Sequence, residues 1–219
     1  TDEISVTDGL FGAAAFSDEG NATVLVNANI DPPLIGAASA TFGAGTALVD
    51  VADDVTVDAH LVGLLGANIG AGAVEINVGD RATVDAALGG LGVGIGALDI
   101  GNGGITVNVG EGARVQGDTF GIATLAKFGS DPTTINVGAG STVDASFTGL
   151  GVGIGAVSFF SGDINVKLLD SDENAPARVL GDTVGIGALA IGAGNVNVTL
   201  GSNTAVRSDT GNLGIGIAA

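Results

Sequence analysis

Short runs in which apolar and polar residues alternate recur along nearly the whole chain, in a fixed order. One run centres on an apolar–Asn–apolar triplet: Ile76-Asn77-Val78, Val107-Asn108-Val109, Ile135-Asn136-Val137, Ile164-Asn165-Val166 and Val196-Asn197-Val198. Val49-Asp50-Val51 and Val24-Leu25-Val26 are weaker copies upstream. From Asp50 the central residues step by 27, 31, 28, 29 and 32 positions, a period of about 29. A second run follows each triplet. It reads Thr56-Val57-Asp58-Ala59, Thr83-Val84-Asp85-Ala86 and Thr142-Val143-Asp144-Ala145 in some coils. In others it reads Ala113-Arg114-Val115-Gln116-Gly117-Asp118-Thr119 and Ala177-Arg178-Val179-Leu180-Gly181-Asp182-Thr183. The third run is glycine-rich: Leu91-Gly92-Val93-Gly94-Ile95-Gly96-Ala97, Leu150-Gly151-Val152-Gly153-Ile154-Gly155-Ala156 and Val184-Gly185-Ile186-Gly187-Ala188-Leu189.

Alternation with period two predicts strands, because successive side chains on a strand point to opposite faces. Val, Ile and Thr dominate these runs, as strand packing prefers. Turn residues separate them, among them Gly79-Asp80, Gly110-Glu111-Gly112, Gly138-Ala139-Gly140 and Gly201-Ser202-Asn203. Three strands and three turns per period describe one rung of a triangular solenoid. No rung buries its apolar side alone, so neighbours must stack. The expected fold is all-β: a right-handed parallel β-helix of about seven coils, each about 29 residues with three short strands. An antiparallel sandwich fits less well, because the three-part order returns in phase and Asn-Gly or Asp-Gly hairpin turns are not the systematic connectors. The organisation expected is a single domain over 1–219, with 1–20 as a partial or capping coil and 167–176 as a loop insertion.

Each run predicts one outer face. With the β-branched residues inside, the triplets project a column of Asp50, Asn77, Asn108, Asn136, Asn165 and Asn197, whose amides can hydrogen-bond along the stack. The second face exposes Thr56 and Asp58, Thr83 and Asp85, Arg114 and Gln116, then Thr142 and Asp144. Asp58 and Asp85 fall on adjacent rungs, near enough to perturb each other, and Arg114 takes the stacked position one rung on. On the third face, Val93 and Ile95 inside would put Gly92, Gly94 and Gly96 outside, and likewise Gly151, Gly153 and Gly155. The opposite phase would expose Val and Ile as an apolar stripe. Either phase marks this face for partner packing.

Composition narrows the function. Glycine is 40 of 219 residues, yet 46% of the chain is hydrophobic, enough to build a core rather than a disordered linker. The formal charge is −18. Such a chain repels phosphate backbones and anionic membrane surfaces, so nucleic acid is not an expected partner. No apolar stretch is long enough to insert into a bilayer. There is no Cys, which removes disulfides, thiol chemistry and Cys-ligated zinc, and no Met, which points to a segment of a longer precursor.

Candidate chemistry is sparse. His60 has no second His or Cys to complete a metal site or triad. The glycine runs lie within repeats rather than at strand–helix junctions, so they are no dinucleotide fingerprint. Paired Asp58 and Asp85 supply the carboxylates that glycoside hydrolysis uses. Sugar-binding Trp and Tyr are absent, however. In the insertion, Asp170, Asp172 and Glu173 offer oxygen ligands to calcium, although the spacing lacks the EF-hand glycine and closing Glu. No other cofactor is expected.

The runs Ile135-Asn136-Val137-Gly138-Ala139-Gly140-Ser141-Thr142-Val143 and Val107-Asn108-Val109-Gly110-Glu111-Gly112-Ala113-Arg114-Val115 resemble the passenger repeats of bacterial autotransporters and related giant adhesins. The resemblance extends over nearly the whole chain from about Asn21. It implies a secreted rod displayed at the bacterial cell surface, and the lack of a catalytic constellation in the sequence leads to the expectation that the chain is not an enzyme. The expected function is therefore a rigid stalk that binds a host or neighbour-cell ligand, or self-associates side by side through the glycine-rich face. The alternative is a polysaccharide-active β-helix enzyme using Asp58 and Asp85.

Overall fold

The computed structural model describes residues 9–87, 90–146, 149–160, 162–208 and 214–219. The chain opens with β1 (Phe11–Ser17), β2 (Ala22–Val26) and β3 (Ile35–Thr41). Repeating coils follow: β4 (Ala47–Val51), β5 (Thr56–Asp58) and β6 (Val62–Asn68), then β7 (Val74–Val78), β8 (Thr83–Ala86) and β9 (Val93–Asp99). The middle coils are β10 (Ile105–Val109), β11 (Arg114–Gly117) and β12 (Phe120–Ala126), then β13 (Thr133–Val137), β14 (Thr142–Ala145) and β15 (Val152–Phe160). The last are β16 (Ile164–Leu168), β17 (Ala177–Gly181) and β18 (Val184–Gly192), then β19 (Val196–Leu200), β20 (Thr204–Ser208) and β21 (Ile215–Ala218).

Every third strand pairs in parallel with its counterpart one coil away, which makes three sheets. Sheet 1 has seven strands, from β2 through β4, β7, β10, β13 and β16 to β19. Sheet 2 has six, β5 to β20, and sheet 3 has eight, β1 to β21. The fold is thus the predicted all-β parallel solenoid, with six complete three-stranded coils rather than seven. The coil holding β2 and β3 lacks its sheet 2 strand, where Ile30 makes a single bridge to Val57. Within the stretch expected to cap the solenoid, β1 is the edge strand of sheet 3, paired with β3; residues 1–8 lie outside the described residues.

The core is a set of aliphatic columns running along the solenoid axis. Val49, Ile76, Val107, Ile135 and Val166 stack from sheet 1, and Val57, Val84, Val115, Val143 and Val179 from sheet 2. Leu64, Ile95, Ile122, Ile154 and Ile186 come from sheet 3, all fully buried. Each such side chain contributes roughly 1.5–3 kcal/mol through burial.

The glycine phase differs from both alternatives drawn from the sequence. Gly94 and Ile95 are both buried, Val93 and Gly96 face outward, and the strand switches phase between them. The same break recurs at Gly63, Gly121, Gly153 and Gly185. These glycines sit where sheet 2 turns into sheet 3. A Cβ on Gly94 would lie 2.6 Å from the Gly121 carbonyl oxygen and 2.8 Å from Val115 Cγ1, and one on Gly121 2.6 Å from Val143 Cγ1. Close backbone approach at this corner therefore demands glycine. Gly92 is also internal, with the Ala86 carbonyl where its Cβ would stand.

The asparagine column is also corrected. Asn77, Asn108 and Asn136 stack as predicted, but Asn136 pairs with Lys167, and Asn165 pairs with Thr134. β16 enters the sheet two residues early, and Lys167-Leu168 complete it, with Leu168 fully buried over Val137. A shift of two residues preserves which side chains face inward, so the core tolerates it. Two ladders result: Asn108 Nδ2 donates to Asn77 Oδ1 and Asn136 Nδ2 to Asn108 Oδ1, both at 2.8 Å, while Asn197 Nδ2 donates to Asn165 Oδ1 at 3.0 Å. The predicted insertion at 167–176 accordingly begins after Leu168.

The two forms of the second run are complementary parts. Two of the coils reading Thr-Val-Asp-Ala close their first bend towards sheet 3 with the Asp itself: Ala87 N donates to Asp85 at 2.9 Å and Ser146 N to Asp144 at 3.0 Å. The following coil supplies the second tie. Asp118 accepts from Gly90 N, and Asp182 from Gly149 N. Gly90 and Gly149 have φ values of 76° and 83°, a conformation glycine adopts without strain.

Candidate functional site

The outward side of sheet 3 differs from the other two faces. Residues paired across the strands form a first column running Phe11, Ile35, Val62, Val93, Phe120, Val152, Val184 and Ile215. A second column carries Ala14, Ala38, Leu65, Gly96, Ala123, Gly155, Gly187 and Ala218. The third runs Phe16, Ala40, Ala67, Leu98, Leu125, Val157 and Leu189. None of these side chains carries a polar group. Asp99 is the sole ionisable residue in the eight strands among the described residues, and it points inward.

Leu10, Leu61, Leu91 and Leu150 extend the face along one margin. At the other, Phe128 and Phe160 stack with ring centroids 5.4 Å apart, and Lys127 lies 4.9 Å over the Phe128 ring. Phe160 is held at φ 79°, a strained conformation for an aromatic residue.

The relief of this face is a groove between two ridges. Between β9 and β18 the second column is Gly96, Ala123, Gly155 and Gly187, flanked by large residues in the first and third columns. Leu65 leans towards Gly96 and the Phe120 ring lies across Gly155, so the glycines leave room for neighbouring side chains to lie flat. Two open stretches of the groove remain beside them. One stretch of about 490 Å³ lies among Phe120, Leu125, Gly155, Val157, Gly187 and Leu189. Another of about 280 Å³ lies among Leu65, Val93, Gly96, Leu98 and Leu125.

The other faces are polar and largely self-satisfied. On sheet 2, Asp58 and Asp85 are paired neighbours, as predicted. Burial pushes the Asp58 carboxyl up, followed by the charges of Asp85 and Asp31, while His60 opposes the rise. Arg114 does not occupy the Asp85 position: Gln116 does, and Arg114 stacks on Thr83 and Thr142, reaching Asp144 at 3.9 Å. His60 is exposed, and its Nδ1 bonds the Pro33 carbonyl at 2.8 Å.

The calcium candidates are not brought together. Asp170 accepts from Ser202 N at 2.6 Å, which holds its carboxyl below the usual range, and it thereby ties two coils. Ser171 Oγ accepts from Gly140 N and Ala177 N, and Asp172 and Ala175 form a tight bridge. Among the described residues no three acidic or histidine side chains converge to hold a metal ion.

An internal polar column escapes the sequence reading. Thr41, Asn68 and Asp99 stack at the inward ends of β3, β6 and β9 and are fully buried. Asn68 Nδ2 donates to Thr41 Oγ1 at 2.5 Å, and Gly70 N donates to Asn68 Oδ1 at 2.7 Å. Gly101 N donates to Asp99 Oδ1 at 3.0 Å, but Asp99 Oδ2 has no hydrogen-bond partner among the described residues. Burial raises the Asp99 carboxyl to about 6, against the opposing Gly101 bond and with a smaller push from Asp131. The available signal is a polar residue closing the third run, Asn68 in one coil and Asp99 in the next.

Compared with protein-family models, curated proteins and solved structures, the chain shows no significant match.

Proposed function

We propose that this chain is a rigid structural or adhesive segment of a larger bacterial surface or secreted protein, placed outside the cell and presenting one interaction face. The observation that carries the reading is the contrast between faces. The formal charge is −18, yet the described outward residues of sheet 3 are uncharged and apolar over eight strands. A soluble monomer rarely exposes a contiguous apolar patch beyond roughly 300–600 Å², and larger patches mark interaction sites. Stacked parallel coils with a continuous core also make a stiff spacer, since each coil is fixed by both neighbours. The likeness of the Asn-containing runs to autotransporter and adhesin passenger repeats supports the same role. Adhesion of protein-coated beads tests it. Wild-type beads should cling to one another, to alkylated surfaces or to bacterial cells, and a Leu125→Lys/Leu189→Lys protein should lose that adhesion. Equal adhesion by both proteins, or none by either, contradicts the reading.

A second reading rests on Asp58, whose carboxyl is raised beside Asp85. That pair would serve a polysaccharide-active enzyme, with Asp58 as the acid. Asp85 is meanwhile engaged by Ala87 N in closing its own turn. Turnover of acidic or neutral polysaccharides that Asp85→Asn abolishes, without loss of folding, would favour it over the first.

A further inference from the structure

The partner that the apolar face of sheet 3 fits is, we propose, a second copy of the same face, packed sheet to sheet about a two-fold axis. This rests on the reading of sheet 3 as the interaction face and names its occupant. Three observations carry it.

Size is the first. Eight strands spaced about 4.8 Å apart, five of them seven residues long, two nine and one four, at about 3.3 Å per residue make a face of roughly 34 by 20 Å, near 700 Å². A stable interface buries about 800 Å² per partner, so one such face against its copy is close to sufficient, and the flanking Leu61, Leu91 and Leu150 add to it.

Shape is the second. The ridge Leu98, Leu125, Val157, Leu189 and the groove Gly96, Ala123, Gly155, Gly187 occupy the same four strands, one column apart. A two-fold axis parallel to the solenoid and halfway between the columns places each ridge in the other copy's groove. The match is reciprocal, as a two-fold interface requires. Sheets packed face to face interdigitate in this way at a separation of about 10 Å.

Charge is the third. A chain at −18 repels its own copy, which makes the location of its charges decisive. The strand carboxylates on the outer surface, including Asp50, Glu75, Asp58 and Asp85, lie on sheets 1 and 2. Apposed sheet 3 faces bring neutral surfaces together and keep those carboxylates off the apposed strands. The long-range repulsion between two chains of −18 that remains is weakened by salt, so association should strengthen as salt rises.

Sedimentation equilibrium of the whole chain tests the proposal, from low micromolar to about 100 μM, where any Kd tighter than about 100 μM registers. The expected result is a dimer, tighter at about 0.5 M than at about 0.05 M NaCl. Leu125→Lys/Leu189→Lys should weaken it at least tenfold. Both leucines are exposed, at 38% and 54%, so the core is untouched, and an unchanged circular dichroism spectrum checks this. Thr106→Lys on sheet 1 is the charge control and should leave association intact. A monomer throughout overturns the proposal, as does a dimer indifferent to the paired lysines, which would place the contact elsewhere. Flotation of a monomer with zwitterionic phosphatidylcholine vesicles would instead assign the face to a lipid surface. A monomer whose beads still adhere through sheet 3 refutes the second copy and leaves the interaction face standing; loss of both refutes both.

Discussion

Replacing Asp99 with Asn should make the protein more stable at neutral pH and remove one component of its pH dependence. Asp99 is fully buried, and one carboxylate oxygen has no partner among the described residues. Burial raises its folded pKa from 3.8 to about 6. A tenfold change in proton affinity corresponds to about 1.4 kcal/mol, so ionising the group inside the solenoid costs up to about 3 kcal/mol. The folded state binds this proton more tightly than the unfolded chain. The favourable contribution is hence complete below about pH 4 and is lost as pH rises through about 6. Asn keeps an acceptor for Gly101 N, brings an NH₂ donor into reach of the Asn68 amide, and never ionises. Urea melts of wild type and Asp99→Asn from pH 4 to pH 8 isolate the effect, because the other carboxylates are common to both proteins. The variant should gain about 2–3 kcal/mol at pH 7.5 relative to wild type. For a chain of this length that is a rise of about 5–10 °C in Tm. The two proteins should converge near pH 4. Parallel curves across the whole range, or a variant less stable at pH 7.5, would refute the reasoning.

Other substitutions probe the packing. Gly121→Ala should destabilise by about 2 kcal/mol, because its Cβ would meet Val143 Cγ1 at 2.6 Å and the Gly153 oxygen at 2.7 Å. Gly96→Ala, on β9 two positions after Gly94, meets only the flexible tip of Leu65 closely, at 3.3 Å, and should be neutral or stabilising by up to about 1 kcal/mol; thermal melts of the pair separate the corner glycines from the surface ones. Asp118→Ala should accelerate amide hydrogen exchange at Gly90, whose N–H the carboxylate accepts, while leaving Gly149 unaffected. Asn108→Ala removes the link between Asn77 and Asn136 and should cost about 1 kcal/mol by urea denaturation.

Much of the fold is readable in the chain because each strand carries the same alternation and each coil the same order. Val107 and Ile135 can be assigned to one column, and Asp58 and Asp85 to adjacent rungs, before any coordinates. The errors fall where sequence likeness and register part company. Asn165 sits in a triplet like the others, but the buried Leu168 shows that β16 starts two residues early, and a period-two pattern cannot detect a shift of two. Gly94 and Gly96 look alike in an alternating Gly-Val-Gly-Ile run. One is internal because sheet 2 crowds it, the other is external with only the tip of Leu65 leaning over it, and only the corner between sheets distinguishes them. Asp99 is missed because a charged residue at a strand end reads as a turn. The glycine-rich run singles out the third face, but the apolar character of that face depends on the phase switch at Gly94, which strict alternation does not contain.

The absence of cysteine allows a direct measurement of that face. Single cysteines placed at 120, 122, 123, 124, 125 and 126 can be titrated with a thiol reagent at low and high protein concentration. Positions 120, 123 and 125 should react at low concentration while 122, 124 and 126 are protected. At high concentration the reactive three should become protected as well, while cysteines at the sheet 1 positions 106 and 108 stay open. Strict alternation from 120 onward, or reactivity at 123 and 125 that no concentration suppresses, would contradict an apolar face on sheet 3 that pairs with its own copy.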